Sequence, residues 1–196
     1  VKVRSKNASG TKKTGKAQES ETSVNTHSEP DGSPTAEPNM SESATRPGPD
    51  QEFVVDSAEE TFELGRSIAA SLTGPAIILV SGDLGAGKTV FAKGAAAGLD
   101  IDPADITSPS FTLINIHDGR LRLYHIDLYR LDRASCASLG LDEIFEDPRG
   151  VIVIEWPERL PVLSQRAMRV RIEYLTESSR KILMTAGPEG VARRFR

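Results

Sequence analysis

Gly82-Asp83-Leu84-Gly85-Ala86-Gly87-Lys88-Thr89 decides how the rest of this 196-residue chain is read. The stretch fits G-x-x-x-x-G-K-[ST], a pattern in which each residue type has a physical task. The glycines let the backbone curl, so that successive N–H groups converge on phosphate oxygens. Lys88 is expected to reach the β- and γ-phosphates, and the Thr89 hydroxyl to sit on Mg²⁺. The helix beginning at Val90 would aim its positive N-terminal end at the same anion. These eight residues and Val90 form the expected phosphate cradle.

The flanks supply the context the pattern requires. Upstream, Ala76-Ile77-Ile78-Leu79-Val80 is a short apolar run rich in branched residues, the signature of a buried parallel strand. Downstream, Val90-Phe91-Ala92-Lys93-Gly94-Ala95-Ala96-Ala97 reads as a helix, weakened by Gly94. Strand, glycine loop and helix follow one another as a phosphate-binding loop demands.

Composition divides the chain in two. Residues 1–50 contain no Phe, Trp, Tyr, Leu or Ile. Such a stretch buries too little surface to offset its ordering entropy, which predicts a disordered polar arm over 1–50 and a folded domain over 51–196. Charge is segregated within the arm: residues 1–18 hold six Lys/Arg and no acid, and 19–45 hold six acids and no Lys/Arg. The basic part could touch RNA or an acidic partner, although a solvated tail is the simpler reading. No secretory h-region and no membrane-spanning run is present. A single cysteine, Cys136, excludes an internal disulfide or a multi-cysteine metal site. It fits a reduced compartment, and the expected location is the cytoplasm. His27, His117 and His125 are too few and scattered for a zinc centre.

Within the domain, Phe53-Val54-Val55 reads as a strand. Ser57-Ala58-Glu59-Glu60 has capping-box spacing, with Glu60 reaching back to Ser57. The helix that follows presents Phe62, Leu64, Ile68 and Leu72 on its apolar face and stops at Thr73-Gly74-Pro75. Strands are expected over 111–116 and 121–126, paired through an Asp118-Gly119 turn. A short helix is expected around Gly140, within 134–146. Val151-Ile152-Val153-Ile154 is a second fully buried strand, and 167–175 with 180–186 form a closing hairpin. The balance is α/β: a parallel core sheet with antiparallel additional strands.

A phosphate-binding loop needs a carboxylate at the end of a neighbouring buried strand to complete its Mg²⁺ shell. Glu155 ends the 151–154 strand, and Asp127 ends the less apolar Tyr124-His125-Ile126 run. Either could hold the metal; spacing favours Glu155. Thr107-Ser108-Pro109-Ser110 offers hydroxyls that could sense the γ-phosphate or simply satisfy a turn. Trp156, the only tryptophan, could stack on a base or a partner, or stand as a boundary residue.

Taken together, the loop at 82–89, Ser108-Pro109-Ser110-Phe111, His125-Ile126-Asp127-Leu128-Tyr129-Arg130 and Glu155-Trp156-Pro157-Glu158 resemble the TsaE (YjeE-like) family of bacterial ATPases over roughly residues 52–187. The resemblance implies a P-loop NTPase three-layer fold, ATP and Mg²⁺ as cofactors, and slow ATP hydrolysis. It implies a role in forming threonylcarbamoyladenosine beside the tRNA anticodon. The partners it implies are TsaD and TsaB, with tRNA reached only through that complex; alone the chain is expected to be a monomer. Residue by residue, it carries Lys88, Asp127 and Glu155 over as catalytic, and Thr89, Asp127 and Glu155 as metal ligands. Ser110, Trp156, Arg180 and Ala58 join the nucleotide contacts. Ser110 stands where the family has Thr, which keeps the hydroxyl and loses a methyl. Two rival readings remain: a P-loop small-molecule kinase, and a non-catalytic nucleotide-gated adaptor.

Overall fold

The computed structural model describes residues 2–4, 51–161 and 167–185. Its strands in chain order are β1 (Lys2–Arg4), β2 (Gln51–Val55), β3 (Ala76–Gly82), β4 (Ile114–Asp118), β5 (Arg122–Asp127), β6 (Gly150–Glu155), β7 (Met168–Tyr174) and β8 (Arg180–Thr185). The helices are α1 (Ala58–Ala70), α2 (Lys88–Gly98), α3 (Arg133–Ala137) and α4 (Asp142–Phe145). All strands join one sheet in the order β1-β2-β8-β7-β3-β6-β5-β4. The four central strands, β7, β3, β6 and β5, run parallel; β4 on one edge and β8, β2 and β1 on the other are antiparallel additions.

Alternation along β3 feeds two cores. Ile78 and Val80 face α1 and α2 with Phe91, Ala95 and Ile68, whereas Ile77 and Leu79 face Cys136, Leu141 and Leu160. The sheet is thus covered on both faces, and β3 and β6 read as continuous apolar runs. Among the described residues no helix is long and apolar enough to cross a membrane.

Several expectations need adjustment. Three residues of the arm, Lys2–Arg4, are described, and they pair with β2; residues 5–50 lie outside the described residues. Ser57 caps α1 as expected, accepting from the Glu60 N–H at 3.2 Å, but Glu60 reaches one residue further back, to the Asp56 N–H at 2.8 Å. The buried stripe of α1 is Thr61, Leu64, Gly65, Ile68 and Ala69, with Phe62 only half-buried. Small residues belong on that stripe because α2 lies against it.

The segment 111–113 is not strand. Leu113 adopts φ 66°, its N–H bonds Pro109 O at 2.6 Å, and Phe111 is 81% exposed, so β4 begins only at Ile114. The β4–β5 connection spans 119–121 rather than an Asp118-Gly119 pair, because Asp118 sits opposite Arg122. Arg120 is held out of the ladder: its N–H bonds Leu99 O, and its guanidinium donates to Gly98, Leu72 and Ala69 carbonyls. Gly140, at φ 63°, separates α3 from α4 rather than lying within a single helix.

Candidate nucleotide site

Parallel pairing brings the loop and both acids to one sheet edge. Val80 stands opposite Glu155, and Glu155 opposite Asp127, at the C-terminal ends of β3, β6 and β5. That edge is where α/β sheets bind ligands. The loop between β3 and α2 turns on glycines in the left-handed region. Gly82 has φ 144°, and a Cβ there would lie 2.4 Å from Ile172 O of the neighbouring strand. Gly87, at φ 111°, is the N-cap of α2 and offers no side-chain cap. The first-turn N–H groups of α2 therefore meet no competing side-chain acceptor from their own cap, which suits an anion.

Lys88 is buried, and its Nζ donates to Gly82 O and Asp83 O, both at 2.8 Å. It lies 3.9 Å from the centroid of the Trp156 ring. Burial pulls its pKa below the usual lysine value, opposed by the charges of Glu155 and Asp127. Thr89 Oγ1 donates to Glu155, 2.9 Å from Oε1 and 3.2 Å from Oε2. His125 Nε2 lies 2.9 Å from the same Oε1.

Asp127 has different company. Its Oδ2 accepts from Ser108 Oγ at 2.8 Å and Ser110 Oγ at 2.6 Å, and its Oδ1 from the Tyr129 N–H at 2.9 Å. The hydroxyl loop expected beside the phosphate site therefore engages the second acid. Trp156 adopts φ 60°, a conformation that costs a non-glycine residue about 1–3 kcal/mol. Its N–H bonds Val80 O at 3.2 Å, and its ring packs on Tyr129 with centroids 4.9 Å apart.

These groups surround a cavity of about 250 Å³ lined by Gly85, Gly87, Lys88, Thr89, Ser110, Asp127, Glu155 and Trp156 among others. A second cavity of about 340 Å³ shares Gly85, Gly87 and Val90 with it and continues past Ala86 to Ser57, Ala58, Thr61 and Arg180. Ala58 and Arg180 thus line one cavity with Gly85, Ala86 and Gly87 of the loop. Arg180 Nε donates to Ala86 O at 3.1 Å, while Nη1 donates to Thr176, Glu177 and Ser179 carbonyls. Leu84 stands at the loop's tip, 69% exposed.

Sequence reasoning missed Tyr174. Its hydroxyl donates to Leu84 O at 3.1 Å and would lie 2.8 Å from a Cβ at Gly85. Nothing near Tyr174 in sequence announces this, because it depends on β7 pairing with β3. Tyr129 and His125 were visible only as members of a motif.

The donors suit magnesium: a threonine hydroxyl and carboxylates are hard oxygen ligands. Among the described residues no group of three or more His, Cys, Asp or Glu side chains could hold a metal by itself. Magnesium at nucleotide sites takes one or two carboxylates and completes its shell with phosphates and water, so this donor set fits.

The sequence profile of the family described as "Threonylcarbamoyl adenosine biosynthesis protein TsaE" matches residues 55–182. The chain belongs to the TsaE family. Its similarity extends to proteins named "tRNA threonylcarbamoyladenosine biosynthesis protein TsaE". The Nostoc sp. protein is 42% identical over 137 residues, covering 68% of this chain and 83% of that protein. The Bacillus subtilis protein is 41% identical over 133 residues, covering 65% and 80%. The Mycobacterium tuberculosis protein is 40% identical over 136 residues, covering 63% and 79%. The crystal structure of YdiB from Bacillus subtilis superposes with a TM-score of 0.56 at 35% identity, over 70% of this chain and 86% of that one. The fold is thus a P-loop fold of the TsaE family.

Proposed function

We propose that this TsaE-family chain binds ATP with Mg²⁺ and hydrolyses it slowly, acting on a TsaD–TsaB transferase complex that forms threonylcarbamoyladenosine on tRNA. The observation that carries the reading is the Thr89–Glu155 hydrogen bond between two residues that line the loop's cavity with Lys88. The two residue types that share a magnesium ion in P-loop enzymes already meet, although 66 positions separate them.

Each group then has a task. Backbone N–H groups of the loop and the α2 terminus receive the phosphates. Lys88, one hydrogen of which is free of carbonyl partners, supplies positive charge to the β- and γ-phosphates. Thr89 and Glu155 would hold the magnesium, which neutralises charge developing on the transferring phosphoryl group. Asp127, engaged by Ser108 and Ser110 rather than by Thr89, fits the orientation of the attacking water. The second cavity, with Ala58 and Arg180, lies where the nucleoside would extend. No arginine among these contacts is placed against the phosphate cavity, consistent with a slow intrinsic rate unless a partner supplies one.

Phosphate release is to be measured with labelled ATP, with and without purified TsaB–TsaD. Free phosphate, increased by the complex and lost in Lys88→Ala, is the expected outcome. Label transferred to a small molecule would instead indicate a kinase. Unimpaired tRNA modification in cells carrying only a non-hydrolysing Glu155→Ala protein that still binds ATP would indicate a gated adaptor.

A further inference from the structure

Two buried ring nitrogens, His117 Nε2 and His125 Nδ1, make no hydrogen bond to any described residue. His125 is fully buried, on β5 two residues before Asp127, and the strand's alternation puts 125 and 127 on one face. Its neighbours there, Leu123 and Val153, are fully buried apolar side chains of the core. An aliphatic residue at 125 would pack among them without stranding a nitrogen, and a stranded buried polar atom destabilises a fold.

What the histidine adds is its other nitrogen. Nε2 lies 2.9 Å from Glu155 Oε1 and, facing a carboxylate, carries the hydrogen. The same Oε1 accepts from Thr89 at 2.9 Å, whereas among the described residues the nearest donor to Oε2 is Thr89 at 3.2 Å. Two donors on one oxygen hold the carboxylate against rotation, and the less engaged oxygen is Oε2.

We propose that His125 is a positioning residue for Glu155: its Nε2–H occupies Oε1 and so fixes Oε2 as the oxygen offered to a divalent cation beside Thr89. This rests on the reading of the site as one for Mg²⁺ and ATP. Partners that orient a metal's ligands commonly change metal affinity by about 10–100-fold when removed. The expected signature is therefore a raised magnesium requirement, with nucleotide affinity in the absence of metal left unchanged.

Trp156 is the sole tryptophan and lines the cavity, so its fluorescence reports binding. The full chain is titrated with ATP in EDTA, and then with MgCl₂ at fixed ATP. Three variants separate the roles of the ring: His125→Leu removes the donor, His125→Gln returns an N–H close to where Nε2 stands, and His125→Asn places one too short to reach Glu155. The Leu and Asn variants should need about 10–100-fold more Mg²⁺, bind ATP in EDTA as the parent does, and differ from Gln, which stays close to the parent. The proposal is overturned if all three keep the parent's Mg²⁺ requirement, or if Gln and Asn fall together. Should the Leu variant fail to fold, the Gln–Asn comparison decides alone, with thermal melts verifying both. A parent chain that shows no Mg²⁺-dependent ATP binding would instead overturn the underlying reading of the site.

Discussion

Lys88 shows how one residue serves stability and binding in opposite senses. Burial costs its ammonium hydration, and Glu155 and Asp127 return only part of it, so its pKa falls below 10.5. The folded chain then gives up this proton at lower pH than the unfolded chain does. The penalty is fully present below the folded pKa and is relieved as pH rises through it, so Lys88 makes stability increase with pH in that alkaline window. Phosphates arriving beside Lys88 would reverse the shift. Nucleotide binding at about pH 9.5 should therefore take up protons. Calorimetry in two buffers of different ionisation heat measures this; net proton release, or none, would count against it. Trp156 likewise accepts a local cost: its left-handed backbone bonds Val80 O, and its ring packs between Lys88 and Tyr129 against the cavity.

At the scale of elements, α1 and α2 approach closely enough that small residues become obligatory. Gly94 looks like a weakness in α2, since Ala is favoured over Gly by about 1 kcal/mol in a helix interior. A Cβ at Gly94, however, would lie 2.0 Å from Phe62 O, and one at Gly65 would lie 2.3 Å from Phe91 O. These are backbone atoms within helices and cannot step aside cheaply. Gly94→Ala should consequently destabilise the chain by about 1–3 kcal/mol, because overpacking outweighs propensity. A thermal melt of Gly94→Ala at or above the parent's Tm would show that the helices separate without cost. Gly140 is the reverse case: nothing lies within 4 Å of a Cβ there, so its φ of 63°, in the stretch between α3 and α4, and not crowding is what favours glycine.

Across the whole molecule, Arg120 ties the helical layer to the sheet. It reaches from the β4–β5 connection to carbonyls at Ala69, Leu72 and Gly98, where α1 and α2 end. A cation at two helix C-termini satisfies orphan carbonyls and opposes both helix dipoles. Arg120→Ala should cost roughly 2 kcal/mol, with Tm falling by about 5 °C. Since Arg120 lies outside the residues lining the nucleotide cavities, ATP affinity below the transition should be unchanged. Chemical denaturation and nucleotide titration of the same preparation test both halves.

Local chemistry was legible in the chain itself. The glycine pattern, the apolar run before it, the Ser57 cap and the buried 151–154 run each depend on neighbours a few positions away, where backbone sterics and periodicity act. The α/β class followed from those periods, and the membership of Thr89, Glu155 and Asp127 in one neighbourhood followed from strand ends. Other features required the tertiary structure. Which acid meets Thr89 depends on β6, not β5, lying beside β3. That His125 stands under Glu155, that Tyr174 touches the loop tip and that Leu113 turns away from the sheet all arise from contacts between distant segments. A strand's side-chain alternation is written locally, but the partner on its flank is chosen by burial of the whole sheet. For that reason candidate residues for the site could be named from sequence, Tyr174 excepted, while their pairings could not.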